Sequence, residues 1–354
     1  MRVLIAPDSF GNTLTAVEAA DAIATGWSAS RPDDEVVHAP QSDGGPGFVD
    51  VLAGRFGQVH TETVPGPLGA SVTARWLLDD RDPDHLVGYV ECAQACGLHQ
   101  LGGGPTPRTA QTADTTGVGM LVDAALRAGV ASVVVGLGGS ASNDGGRGLI
   151  EALGGPERAL ERCAGIDVVA ASDVENPLLG PLGAIAVFGP QKGADAAALV
   201  RLEHRMAEWN RVLTELAGGD ISAETGAGAA GGLGAALLAL GGRRVSGATV
   251  VAEATGRDAD IAAADLLITG EGRFDSQTLR GKVVSALTAT ARASQVPVLV
   301  MAGQVTLGAD EIADAGIAAA HSVVDHAGSV QVAMDDAGPQ LTGLTRAVAA
   351  AWPG

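Results

Sequence analysis

The sequence predicts an α/β protein with mainly parallel sheets, organised as two domains. Short apolar runs alternate with segments of helical spacing, the pattern of strands covered by helices. The chain has 354 residues, a length that most often divides in two. Its 51 glycines are about double the usual share. They follow no period and cluster behind the apolar runs, as where glycine loops join strands to helices.

Taken in order, Arg2–Ala6 is the first strand candidate. Thr15 and Glu18 form a capping box that opens a helix reaching about Ser28. Glu35–Ala39 and Leu86–Cys92 read as strands. Thr115–Gly129 has helical spacing and Ser132–Gly136 is an unbroken apolar strand. Asp167–Ala171 and Ala184–Phe188 are read as two more strands, followed by a long amphipathic helix over Asp195–Leu216. Asp265–Thr269, Pro297–Ala302 and Ala318–Val324 are strands, with helices at Gly281–Ser294 and Leu341–Ala351.

Hydrophobic residues make up 46% and aromatics only 3%, so the core is built from Ala, Val, Leu and Ile. The net charge of −19 argues against nucleic acid and against an anionic membrane surface. A small anionic substrate is still permitted, because a few cations in a cleft outweigh distant acids. The uncharged run from Thr225 to Gly242 is mostly Gly and Ala, a poor membrane span. The opening apolar run is too short for a signal-peptide core before Pro7-Asp8. Cys92, Cys96 and Cys163 lack metal-type spacing and read as small buried residues in a reduced, cytoplasmic setting.

Several strands end in acids. Val3-Leu-Ile-Ala-Pro-Asp8, Val36–Asp43, Val168–Asp173 and Leu266-Leu-Ile-Thr-Gly-Glu271-Gly-Arg-Phe-Asp275 share this form. After Ser132–Gly136 comes the glycine-dense stretch Gly136–Gly148, which holds Asn143-Asp144. One aspartate after a strand is ordinary turn chemistry. Five such strand ends point to one site, because parallel sheets bind ligands outside their carboxyl ends. Carboxylates with glycine loops suit Mg²⁺ and phosphate, and so phosphoryl transfer. Gly136–Gly148 is no Walker A loop, since no Lys-Ser/Thr follows it, so the cation must come from elsewhere.

Among 22 basic residues only Lys192 and Lys282 are lysines, and each lies beside glycine. In a chain this biased to arginine, both are candidates for a compact ammonium role. The seven histidines form no constellation, and Ser140 and Ser142 lie in no nucleophile elbow. Gly226-Ala-Gly-Ala-Ala-Gly-Gly232 reads equally as close helix packing or a second anion site.

Together and in this order the motifs resemble the bacterial glycerate kinase family. The matching pieces include Ile5–Phe10, Ser42–Gly45, Gly66–Gly69, Gly138–Gly146, Asp173–Gly180, Phe188–Gly193, Gly226–Gly232 and Thr269–Thr278. The resemblance implies an ATP-dependent phosphotransferase acting on D-glycerate with Mg²⁺, the 2-phosphate being the expected product. It also implies two α/β domains with one inserted in the other. A Rossmann/flavodoxin-like layered domain is then expected from residues 1–65 and 251–354, the inserted α/β domain from 66–250, and the site in the cleft between them. A homodimer is compatible with this reading.

The roles that follow are expectations. Gly138, Gly139, Ser140, Asn143, Asp144, Gly145 and Gly146 wrap the ATP phosphates, and Lys192 contacts phosphate. Asp43, or else Asp8, takes the proton of the acceptor hydroxyl. Ser9, Ser42 and either Arg273 or Lys282 hold the substrate, the last as partner of its carboxylate. Asp173, Glu271 and Asp275 ligate the metal. Three features depart from the family pattern. Gly11 replaces a lysine, Pro46 and Phe48 replace a glutamate and a threonine, and the segment after Leu153-Gly-Gly155 is short. They define two rivals: a relative that has lost catalysis and serves in binding or regulation, and a kinase whose acceptor has changed around Phe48.

Overall fold

The computed structural model describes residues 1–276, 278 and 283–353. Eleven strands occur among them. They are β1 (Arg2–Ile5), β2 (Glu35–His38), β3 (Gln58–Pro65), β4 (Ser71–Asp79), β5 (Val87–Glu91), β6 (Ser132–Gly136), β7 (Asp167–Ala171), β8 (Arg243–Val245), β9 (Leu266–Phe274), β10 (Val298–Val305) and β11 (Ala319–Ser322). The chain divides into two compact units, one of residues 1–42 with 251–354 and one of residues 43–250. No helix among the described residues is long and apolar enough to cross a membrane.

The unit made from both chain ends has a five-stranded sheet in the order β11-β10-β9-β1-β2, parallel throughout. Numbered within the unit this is the 2-1-3-4-5 order of doubly wound, flavodoxin-like sheets. Its strands are apolar on both faces because helices cover both. Val3, Ile5, Leu266, Ile268, Leu299 and Met301 are buried with Ile23 and Trp27. The helix Ala16–Ser30 begins with the expected box: Glu18 N–H donates to Thr15 Oγ1, and Glu18 Oε2 accepts from Thr15 N–H. It lies so close to the helix Ala337–Ala351 that a Cβ on Gly26 would stand 2.4 Å from the Thr342 carbonyl.

The second unit has a six-stranded sheet, β3-β4-β5-β6-β7-β8. The first two pairings are antiparallel and the rest parallel. The first boundary therefore falls after Ser42 and not at 65, because β3 pairs with β4 from Gln58↔Leu78 to Pro65↔Ser71. The Gly66–Gly69 motif is the turn of this hairpin: Gly66 N–H donates to the Ala70 carbonyl and Gly69 has φ +84°. Sequence reading passed over β3 and β4, whose mixed polar residues give no apolar run.

Ala184–Phe188 is a helix and not a strand. Five apolar residues carry no readable period, and this turn packs on the long helix Ala196–Ala217. Asp195 caps that long helix by accepting from Ala198 N–H at 2.7 Å. After Leu153 two glycines of positive φ lead directly into the helix Pro156–Cys163 and then β7, which accounts for the short segment.

Candidate active site

In the second unit the glycine-dense loop begins where the fully buried β6 ends. Its glycines are set by close approach. A Cβ on Gly138 would lie 2.4 Å from Gly45 Cα, and one on Gly139 would lie 2.6 Å from Pro46 Cγ. Gly138 N–H donates to the Gly44 carbonyl at 2.9 Å. Thus the Asp43–Gly47 turn and the loop after β6 lie together. Asp43 is exposed, and its Oδ1 accepts from Gly45 N–H at 3.0 Å. On the other side Leu98 N–H donates to the Gly139 carbonyl and Ala141 N–H to that of Cys96.

Lys192 enters this loop from below. The residue is only 3% exposed, and Nζ donates to Ser140 Oγ at 2.9 Å and to the Ser142 carbonyl at 2.7 Å. Burial pushes its pKa down to about 8, so it is still mostly an ammonium at neutral pH. No carboxylate among the described residues pairs with it. A cavity of about 110 Å³ opens beside it, bounded by Gly138, Gly139, Ser140, Gln191 and Ala230. A buried cation, a hydroxyl and glycine backbone around so small a space make an anion-binding arrangement. Burial drives the Cys96 thiol up to about 11 and raises that of Cys92 well above its ordinary value, so neither is a nucleophile.

Asp144 is part of the loop's frame. Its carboxylate accepts from Thr115 N–H, Thr115 Oγ1, Gly146 N–H and Gly148 N–H, all at 2.8–3.0 Å. Its pKa is raised by burial, and four donors hold it in place, leaving little for a nucleotide. Asn143 is likewise turned inward, its Nδ2 donating to the Ala110 carbonyl at 3.1 Å.

The 226–232 segment packs flush on the same loop. A Cβ on Gly231 would meet the Ser142 carbonyl at 1.9 Å, and Gly145 N–H donates to the Gly231 carbonyl. Ala230 holds φ 52°, followed by Gly231 at 65° and Gly232 at 90°. A left-handed alanine is strained, and it forms part of the wall of the Lys192 cavity.

Two residues matter here that sequence reading missed or misjudged. Glu91 ends β5, is 2% exposed, and accepts from Gly47 N–H and Val49 N–H at 3.1 and 3.2 Å. Desolvation lifts its pKa to about 7. No motif marks it; the one available signal was an acid closing an apolar strand. Phe48, expected near the acceptor in one rival reading, is fully buried. It lies edge-on to Tyr89 and against Gly136, so it fills core and does not shape a substrate pocket.

In the other unit β1 and β9 are neighbours, and the connections leaving them run to opposite sides of the sheet, so the ligand-binding crevice of this topology lies at their carboxyl ends. Asp8 N–H donates to the Gly270 carbonyl at 2.8 Å, and Asp8 Oδ1 accepts from Ser9 N–H at 2.7 Å. β9 extends to Phe274 because it pairs with β10 as far as Phe274↔Val305. Glu271 and Arg273 are therefore strand residues, two apart and on one face. Gly270 and Gly272 face the other way, close to Phe10.

Thr278 Oγ1 donates to Glu271 Oε1 at 2.6 Å, and Asp275 N–H donates to Thr278 Oγ1 at 3.4 Å, so these two acids share a linker. Arg273 Nε pairs with Asp275 Oδ2 at 3.2 Å. Gln41, one residue before Ser42, receives a bond at 3.4 Å from Arg257, a 6% exposed cation absent from the sequence reading. Lys282 lies outside the described residues.

Asp173 is an exposed residue just after β7 in the second unit. Among the described residues no three of His, Cys, Asp and Glu are grouped to hold a metal ion. Thr278 joins the Glu271 carboxylate to the backbone N–H of Asp275, whose own carboxylate pairs with Arg273; Mg²⁺ of the kind that arrives with phosphates needs only one or two protein carboxylates.

The model of the glycerate kinase family matches residues 3–159 and 156–353. An uncharacterized protein of Mycobacterium bovis is 57% identical, over 99% of this chain and 91% of that one. The glycerate 2-kinase of Escherichia coli is 35% identical over 99% of this chain and 97% of its own. The crystal structure of a putative glycerate kinase 2 from Salmonella typhimurium LT2 superposes with a TM-score of 0.78. It is 34% identical and covers 99% of this chain and 98% of that one.

Proposed function

The chain belongs to the glycerate kinase family, and we propose that it transfers the γ-phosphoryl group of ATP to D-glycerate, giving the 2-phosphate. The observation that supports this best is Lys192, a buried ammonium with no carboxylate partner among the described residues, opening on a small cavity lined by Gly138, Gly139 and Ser140 together with apolar side chains. Such a charge is costly unless an anion completes it, and a phosphoryl group is the anion a kinase brings. Preorganised cations and amides of this kind stabilise charge developing in transfer.

Lys192, with the Gly138–Gly139 backbone and Ser140, binds phosphate. Gly145 and Gly146 serve by fixing the loop, as Asn143 and Asp144 do. Asp43 accepts the proton of the attacking hydroxyl, its exposed carboxylate lying on the turn that touches Gly138. Asp8 is its rival for that task. Ser9 and Ser42 orient the acceptor, and Arg273 pairs with the carboxylate of glycerate. Glu271 and Asp275 hold Mg²⁺, with Asp173 as the further expected ligand. The ion supplies charge neutralisation on the phosphates. The 2-position is favoured by the name of the Escherichia coli relative. Three buried free thiols suit a reducing, cytoplasmic setting.

The test is ADP release with D-glycerate, with the product position read by ³¹P NMR. Asp43→Asn is expected to abolish transfer while ATP still binds. Retained turnover removes Asp43 from the base role. Wild-type protein that binds ATP yet phosphorylates no small hydroxy acid is a binding or regulatory relative and not a kinase.

A further inference from the structure

The chain-end unit contains a second, larger cavity, and the roles given above leave its apolar wall and two of its carboxamides unused. It measures about 530 Å³ and sits wholly within this unit at the carboxyl ends of β1, β9 and β10. Ser9, Asn12, Glu271 and Gln304 line its polar side. Its opposite wall is aliphatic: Val324, Val330, Ala333 and Met334, three of them on the short helix Val330–Asp335. Val330 and Met334 are 51% and 56% exposed, two of the few large apolar side chains left in solvent. Arg273 is the one cation among the described lining residues, and it is paired with Asp275.

We propose that this cavity receives the purine nucleoside of the phosphoryl donor, an assignment that rests on the kinase reading above. The space greatly exceeds what a three-carbon acid can fill, and it falls in the range of small-molecule sites. Glycerate has a carboxylate and two hydroxyls and no apolar face, so an aliphatic wall gives it nothing. A base is flat, apolar on its faces and polar at its edge. Val330 and Met334 supply contact for the faces. The carboxamides of Asn12 and Gln304 each offer a donor and an acceptor for the edge. A polyphosphate is a poor occupant, since a single, already paired guanidinium cannot balance it.

Met334→Glu and Val330→Glu place charge on this wall at exposed positions, where folding is little affected. Calorimetric titration of wild type and the double variant with adenosine and with ADP is the test. The expected result is loss of adenosine binding and an ADP Kd raised about tenfold or more, with the KM for D-glycerate unchanged. Equal ADP affinity in wild type and double variant overturns the assignment, as does wild-type protein that binds no adenosine at all. These titrations need no turnover. A protein that binds adenosine at this wall but phosphorylates no glycerate sinks the kinase reading and leaves the nucleoside site standing.

Discussion

Lys192 Nζ stands 2.9 Å from Ser140 Oγ and 2.7 Å from the Ser142 carbonyl. The one lysine among the described residues is thus spent on one end of the glycine-dense loop. Two neutral oxygens solvate it, but neither neutralises it. The loop is held in shape by the same charge that we propose draws the phosphate.

Replacing Lys192 by Met separates these roles. Burial holds the pKa of Lys192 near 8 against an ordinary 10.5, so below pH 8 the ligand-free fold carries this charge at a cost in stability relative to the unfolded chain. Lys192→Met removes that penalty along with two hydrogen bonds worth about 1 kcal/mol each. The ligand-free variant is therefore expected to be at least as stable as wild type at pH 7 by urea unfolding. Its kcat/KM is expected to fall on the order of 10²–10³-fold. In wild type, affinity for anionic ligands weakens as pH rises past about 8, where the free enzyme loses this proton. Equal activity in the variant removes Lys192 from the site.

Asp144 calls for the opposite outcome. Its four donors include three backbone N–H groups of the loop and of the neighbouring helix start. Asp144→Ala strands those donors away from water, at about 3 kcal/mol or more in total. The melting temperature is expected to drop well before any specific effect on KM appears. A variant of unchanged stability with a raised KM for ATP would make Asp144 a ligand-binding residue after all.

Phe48→Leu tests whether this position shapes the acceptor. The ring is sealed against Gly136 and Tyr89, so the change costs about 1–2 kcal/mol of stability. The KM for glycerate and the preference among hydroxy acids are expected to stay as in wild type. A shifted acceptor preference would return Phe48 to the substrate pocket.

The parallel strands and their acid-tipped ends were legible because an unbroken apolar run such as Ser132–Gly136 has one good explanation, burial on both faces. The β3–β4 hairpin was not, since Gln58–Pro65 exposes polar residues along much of its length. Lys192 could be picked out because lysine is so rare in this chain. The division of labour within Gly138–Gly146 could not be. Asn143 and Asp144 look like ligands in sequence, and only the positions of Ala110, Thr115 and Gly148 reveal them as scaffolding. Glu91 was invisible for a related reason: what makes a carboxyl unusual is what surrounds it, and the Asp43–Gly47 turn comes from a distant part of the chain.

Glu91 gives the last prediction, with its direction fixed by linkage. Its folded pKa is about 7 against an ordinary 4.5. The folded protein keeps the proton across that window while the unfolded chain releases it. The unfolded state therefore binds fewer protons there, and stability from this group falls as pH rises. It is fully present below about pH 4.5 and lost once pH passes about 7. At 1.36 kcal/mol per pH unit the loss amounts to about 3 kcal/mol. Glu91→Gln keeps an oxygen for the Gly47 and Val49 N–H groups but cannot ionise. Urea unfolding at pH 5 and pH 8 is expected to show wild type losing stability, relative to the variant, between the two. Parallel curves would mean that Glu91 is already ionised in the fold. The turn bearing Asp43 would then be anchored by a charge, not by a protonated acid.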